Sequence, residues 1–292
     1  MLYKKLKIVL LCLFCFCNIN ISFADTSKFD NLSILVTSCD KYSELWDPFF
    51  QLLWKQWPEL NNQDSGIPIY LMSNSKKYTH PKVQTINIVK ETSWSSSMRQ
   101  AVKEIKTDYV LVVLDDYFFT KVDQKRLSDI FNSIKSRKIP YVQLTVPYYV
   151  QDRKVYEDEA VTGLKYKKQF EEWRTSLQAA IWRKDVLLHL LKEPETPWNF
   201  EIVGSARSEG MLEPFLVVEN NFPLEYLNMA QMGYLSHENI LKVNSEYKLN
   251  WTPVSLPVDK DHKINRWWHR RVLPFLYWSV WLPVKQGIKK IV

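Results

Sequence analysis

The chain has 292 residues, 46% apolar and 24% charged, enough for one large α/β domain or two small ones. Its six glycines are scattered at Gly66, Gly163, Gly204, Gly210, Gly233 and Gly287, so neither a GxGxxG fingerprint nor a Walker loop can be written from them. The formal charge of +7 belongs to the ends: residues 1–24 carry +3 and residues 259–292 carry +6, which leaves −2 on 25–258 and no basic excess for a nucleic-acid partner.

The chain opens with Lys4, Lys5 and Lys7, an apolar run from Ile8 to Cys17, and Ser22-Phe23-Ala24. That pattern predicts a signal peptide or membrane anchor over 1–24, followed by a body over 25–258. Cys12, Cys15 and Cys17 lie in the apolar run, so Cys39 stands alone in the body and no disulfide framework or cysteine zinc site is expected there.

Leu32 to Ser38 is β-rich and nearly continuously apolar, the signature of a buried parallel strand. A helix follows, with apolar residues at Trp46, Phe49, Phe50, Leu53, Trp54 and Trp57, stopped by Pro58. Strands are predicted at Ile67–Met72 and Val83–Val89, then a helix carrying Met98, Ala101, Val102 and Ile105 with Ser95, Ser96 and Ser97 as cap candidates. Tyr109–Leu114 is the strongest strand of the chain and ends at Asp115-Asp116. Asp123 is placed to cap a helix through Leu127, Ile130, Phe131 and Ile134, and Tyr141–Val146 reads as a further strand. Alternating strands and helices imply an α/β fold with a mainly parallel sheet and flanking helices, whose ligands bind beyond the carboxyl ends of the strands. The second half is looser, with a polar stretch at 151–172, a helix at 185–192, and Pro194 and Pro197 after it. The C-terminal segment 259–292 has basic flanks around Trp267–Trp281, which predicts a tail associated with a membrane surface or, failing that, one packed on the domain.

Four constellations carry candidate chemistry. Asp115 and Asp116 end a hydrophobic strand, where two adjacent carboxylates need a partner; Mg²⁺ or Mn²⁺ bridging a diphosphate would supply it. Ser95 and Arg99 lie at a predicted helix start, where amides and a guanidinium favour a phosphate. Thr196 and Pro197 suit an N-cap and first helical position, which sets Trp198 to stack on a sugar ring and Glu201 among aromatics as a general base. His237 is read as a loop residue available to a metal or phosphate.

The order of these pieces, Thr37-Ser38-Cys39-Asp40 after the first strand, Trp94–Arg99 at a helix start, Leu111–Asp116 and then Pro197–Glu201, resembles the GT-A glycosyltransferases, most closely bacterial enzymes that build surface polysaccharides. The resemblance covers about 32–240. It implies a nucleotide-sugar site in which Thr37 and Asp40 lie by the nucleotide, Asp115 and Asp116 hold the donor ribose and a Mn²⁺ or Mg²⁺ ion, and His237 completes the shell of that ion with Asp116. It further implies that Glu201 deprotonates the acceptor hydroxyl in a single, inverting displacement. The acidic motif here is Asp-Asp-Tyr rather than Asp-x-Asp. The expected partners are a UDP-sugar and a glycan or lipid-linked acceptor, in a membrane-associated protein. Two other readings stay open: an exported carbohydrate-binding protein of the same fold without catalysis, and a glycoside hydrolase using Glu201 with Asp115 or Asp116.

Overall fold

The computed structural model describes residues 28–62, 65–88, 92–145, 154–158 and 161–260. The predicted signal peptide or anchor over 1–24 and the tail from residue 261 lie outside the described residues. So does Val146, the predicted end of the last strand of the first half.

The predicted strands of that half form as β1 (Leu32–Thr37), β2 (Ile69–Ser73), β3 (Val83–Asn87) and β4 (Tyr109–Leu114), all mutually parallel, with β1 between β2 and β4. They are followed by β5 (Tyr117–Val122), β6 (Tyr141–Gln143), β7 (Leu164–Tyr166), β8 (Ala180–Arg183) and β9 (Phe215–Val218). The main sheet runs β3-β2-β1-β4-β8-β6-β9-β7. β6 and β9 share the direction of β4, whereas β8 and β7 run against their neighbours. The sheet is therefore mainly parallel, as expected, but β6 is not the neighbour of β4: the antiparallel β8 is inserted between them. β8 is four residues long, too short to carry a periodic signal, and is anchored by the fully buried Trp182.

Strand alternation divides the core in two. Ile34, Val36, Leu111 and Val113 face one cluster, while Leu35, Val110 and Val112 face the other. Helix α1 (Trp46–Gln56) and helix α3 (Gln124–Ser136) cover the first face; helix α2 (Trp94–Glu104) and helix α4 (Lys184–Leu190) cover the second. Asp123 caps α3 as expected, accepting from Arg126 N at 2.9 Å. The cap of α2 is Ser93, which accepts from Ser96 N at 3.1 Å; Ser95, Ser96 and Ser97 are buried in the first turn instead.

Thr196 caps a helical segment over 197–207, accepting from Asn199 N at 3.2 Å, with Pro197 in the first turn. Its middle turn, Phe200–Gly204, is π-helical. β10 (Leu224–Asn228) pairs antiparallel with β5 in a separate two-stranded sheet that starts at Tyr117, directly after the acidic pair. β11 (Ala230–Gln231), β12 (Tyr234–Ser236) and β13 (Val258–Asp259) form a small third sheet, with helix α5 (His237–Tyr247) leaving β12. The expected boundary between body and tail, 258/259, falls inside β13.

Candidate active site

A cavity of about 540 Å³ opens at the carboxyl ends of β1, β2 and β4. One wall comes from the strand ends: Thr37, Ser38, Lys41 and Tyr42 after β1, Ser73 and Asn74 after β2, and Asp115, Asp116 and Tyr117 after β4. Leu177, Trp198 and Glu201 form a second wall, while the segment from Asn228 to Gly233 adjoins the first: Asn228 is the register partner of Tyr117, and Gly233 lies beside Lys41 and Tyr42. The structure thus brings together Thr37, Asp115, Asp116, Trp198 and Glu201.

Thr37 is buried and donates its hydroxyl to Val113 O at 3.3 Å, which ties the ends of β1 and β4 together. Asp115 is buried and accepts from the Ser38 hydroxyl; Trp46 Nε1 donates to the same hydroxyl oxygen at 2.7 Å. Burial, and then the charge of Asp116, push the Asp115 carboxyl well above the ordinary range, against the Ser38 bond. Burial pushes Asp116 up to about 7. Its Oδ1 is sealed from solvent and has no hydrogen-bond partner among the described residues. Burial raises the Tyr42 phenol to about 12, with the charges of Asp116 and Asp115 adding to it, so it stays a neutral donor.

Glu201 stands on the π-helical turn, a distortion that often marks functional sites. Leu177 N at 2.7 Å and Ser176 Oγ at 3.0 Å both donate to its Oε1. Oε2 has no such partner among the described residues. Burial raises the Glu201 carboxyl above the ordinary range, while the Leu177 amide, the Ser176 hydroxyl and the charge of Lys167 pull it partway back. Behind this wall Tyr141 Oη accepts from Ser176 N at 3.3 Å. Lys167 Nζ lies 5.4 Å from the centre of the Tyr141 ring.

The other sequence candidates are placed elsewhere. Arg99 Nη1 donates to Leu188 O at 2.6 Å and Leu191 O at 2.9 Å, at the end of α4, and Arg99 does not line the cavity. Asp40 also lies outside the lining, turned onto the loop after β2. It accepts from Asn74 N at 3.2 Å and from Ser75 N and Lys76 N at 3.0 Å each. Burial raises its carboxyl, but the Ser75 hydroxyl and these amides together outweigh it and hold the group below its ordinary range. Ser95 is buried and accepts from Glu195 N at 2.9 Å, locking α2 to the segment before Thr196. His237 is not a loop residue: it opens α5 after the cap Ser236, and it too lies outside the lining.

Sequence reading missed Ser38, Trp46, Tyr42 and Asn228. Asn228 lines the same cavity, and its Oδ1 is also buried without a partner among the described residues. Adjacent carboxylates and an unpartnered amide oxygen on one pocket are the hard donors that Mg²⁺ and Mn²⁺ take, so the residues fit such an ion. Among the described residues no three His, Cys, Asp or Glu gather to cage a metal, so an ion here would keep waters or ligand oxygens in its shell.

No family model matches the sequence, and no curated protein does. Solved structures do. The S. aureus TarS 1–349 structure in complex with UDP-GlcNAc matches at 12% identity over 85% of this chain and 76% of that one, with a TM-score of 0.47. The Pyrobaculum calidifontis mannosyltransferase with GDP-Man and Mn²⁺ matches at 9% identity over 70% and 58%, with a TM-score of 0.43. The Francisella tularensis 2-C-methyl-D-erythritol 4-phosphate cytidylyltransferase matches at 12% over 74% and 99%, also at 0.43. The chain spans 45% of the longer TarS structure. Likeness of this degree assigns neither family nor activity to the chain.

Proposed function

We propose that the chain is a glycosyltransferase that moves a sugar from a nucleoside-diphosphate donor to an acceptor hydroxyl. The observation that carries this reading is the pairing of two unlike walls across one cavity. An acidic strand end with unpartnered oxygens, fit for a cation and a diphosphate, faces a braced carboxylate with a free oxygen.

Asp115, Asp116 and Asn228 would hold a Mn²⁺ or Mg²⁺ ion, which when bound supplies positive charge against a diphosphate leaving group. Trp198, on the opposite wall and 41% exposed, offers a ring face for a sugar. Glu201 Oε2 accepts the proton of the acceptor hydroxyl as its oxygen attacks the anomeric carbon. The bond from that carbon to the diphosphate oxygen breaks, and the nucleoside diphosphate leaves with the electron pair. Burial raises the Glu201 carboxyl, the direction that strengthens a general base. A hexosyl or acetamidohexosyl UDP-sugar, a single inverting displacement, and a glycan or lipid-linked acceptor at a membrane surface complete the proposal.

Calorimetric titration of the full chain with UDP, GDP and CMP, with and without Mn²⁺, tests it. Metal-enhanced binding of one nucleotide, lost in Asp116→Asn, is expected. No binding by a folded sample would move the assignment to a non-catalytic carbohydrate-binding protein.

A further inference from the structure

The cavity is acidic: Asp115, Asp116 and Glu201 line it, and among the described residues of the lining Lys41 is the one cationic side chain. Arg99, the cation that the sequence offered for a phosphate, is held by the carbonyls at the end of α4. A diphosphate entering past three carboxylates therefore meets one fixed positive charge of the protein.

Lys41 is exposed, on the single helical turn Asp40–Leu45 that follows β1. Its Nζ lies 5.6 Å from the centre of the Tyr42 ring and makes no hydrogen bond or ion pair with a described residue. Beside it stands the two-residue turn between β11 and β12, where Met232 and Gly233 have φ of 54° and 82°. Positive φ at both central positions is the type I′ hairpin, whose second position favours glycine. A Cβ at Gly233 would lie 3.1 Å from Lys41 Nζ and 3.7 Å from Tyr42 Oη. The positive φ is what calls for glycine here, since the exposed Lys41 chain could yield a few tenths of an ångström to a Cβ; the contact places the unpaired ammonium beside this turn, at the edge of the cavity.

We infer that Lys41 is the protein's own phosphate-binding group. Its ammonium, unpaired at the edge of the cavity, neutralises the diphosphate of the donor and of the departing nucleotide. This rests on the proposed nucleotide-sugar site. It adds that recognition of the diphosphate, as distinct from the nucleoside, is carried by one residue at the mouth.

The test is calorimetry on the full chain with UDP, uridine and inorganic pyrophosphate (or the GDP or CDP series, if that nucleotide binds), for the wild type, Lys41→Met and Lys41→Arg. Loss of one charge-assisted hydrogen bond predicts about a tenfold or larger fall in diphosphate affinity in Lys41→Met. The nucleoside affinity should be unchanged, and Lys41→Arg should recover the diphosphate. Added salt should weaken UDP binding more in the wild type than in Lys41→Met. Pyrophosphate that displaces UDP from the wild type but not from Lys41→Met supports the assignment to the phosphates. An equal loss for uridine and UDP, or no loss for either, overturns the role of Lys41 and leaves the nucleotide site standing. A wild-type protein that binds no nucleoside diphosphate overturns both. Melting curves of the variants check that this exposed site leaves the fold intact.

Discussion

The two walls of the cavity hold the same functional group in opposite states of support. Asp115 and Asp116 are neighbours in sequence and repel each other. Among the described residues Ser38 is the one hydroxyl that bonds them, and one oxygen of Asp116 has no partner. Glu201 stands alone and receives two donors on one oxygen. The first arrangement is one that a cation would relieve. The second is complete by itself and needs only a substrate. On the proposed function, one wall binds charge and the other moves a proton, and the predictions below separate them.

The largest effect is expected on the self-sufficient wall. Glu201→Gln keeps the shape and the bonds to Ser176 and Leu177 but removes the base, so turnover should fall on the order of 10²–10⁴. The Kd for UDP should not move. A variant with near wild-type turnover in a donor-consumption assay would remove Glu201 from the role.

Asp116→Asn reads the acidic wall through stability. The folded pKa of about 7 lies above the ordinary aspartate value of 3.8, so between about pH 4 and 7 the folded state holds more protons than the unfolded one. Wild-type stability is then present below pH 4 and falls as pH rises through 7. The asparagine variant escapes that loss, so its Tm should exceed the wild type by several degrees at pH 7 and converge with it near pH 4. Mn²⁺ should raise the Tm of the wild type and not of the variant, by mass action on the folded state. Equal metal responses in differential scanning calorimetry would break the contrast between the walls.

Ser176→Ala sharpens the contrast by loosening the braced wall. It removes a hydrogen bond that lowers the Glu201 pKa, so the acidic limb of the kcat/KM profile, already above the ordinary glutamate value, should move to higher pH. An unmoved limb, with the fold intact, would show that the profile reports another group. Trp198→Ala should act on the acceptor or sugar alone. Loss of a ring face is worth about 0.5–1.5 kcal/mol, a few-fold to tenfold rise in KM with stability unchanged.

What could be read from the sequence divides along similar lines. β1 and β4 are continuous apolar runs, and the residues that follow them in the chain sit where a parallel sheet must put them. Thr37, Asp115 and Asp116 were therefore legible. Thr196 and Pro197 carry local helix-start chemistry, which placed Trp198 and Glu201. The partners of these groups were not legible. Ser38 bonds Asp115 from 77 positions away, and Ser176 reaches Glu201 from 25. Tyr117–Val122 mixes aromatic and polar residues and shows its strand character only against β10. Asp40 lies at the right strand end, but the three amides it accepts from are 34, 35 and 36 positions on, and no spacing rule reveals a loop that folds back onto a carboxylate.

Arg99 is the sharpest such case, and it yields the smallest effect on binding. Its position in the first turns of α2 invites a phosphate, yet its acceptors, Leu188 O and Leu191 O, lie 89 and 92 positions downstream. Nε stands 3.8 Å from Glu193 Oε1, a half-exposed pair of little weight. Arg99→Met would leave the two carbonyls at the end of α4 without their charged donor. Hydrogen bonds to charged groups are worth about 1.5–3 kcal/mol, so the Tm should fall by several degrees while the Kd for UDP stays the same. The opposite pattern, weakened UDP with an unchanged melt, would mean that the guanidinium turns into the cavity when a nucleotide binds. Lys41 would then share the diphosphate with it. The division between a wall that binds charge and a wall that moves a proton would survive, with one more cation on its first side.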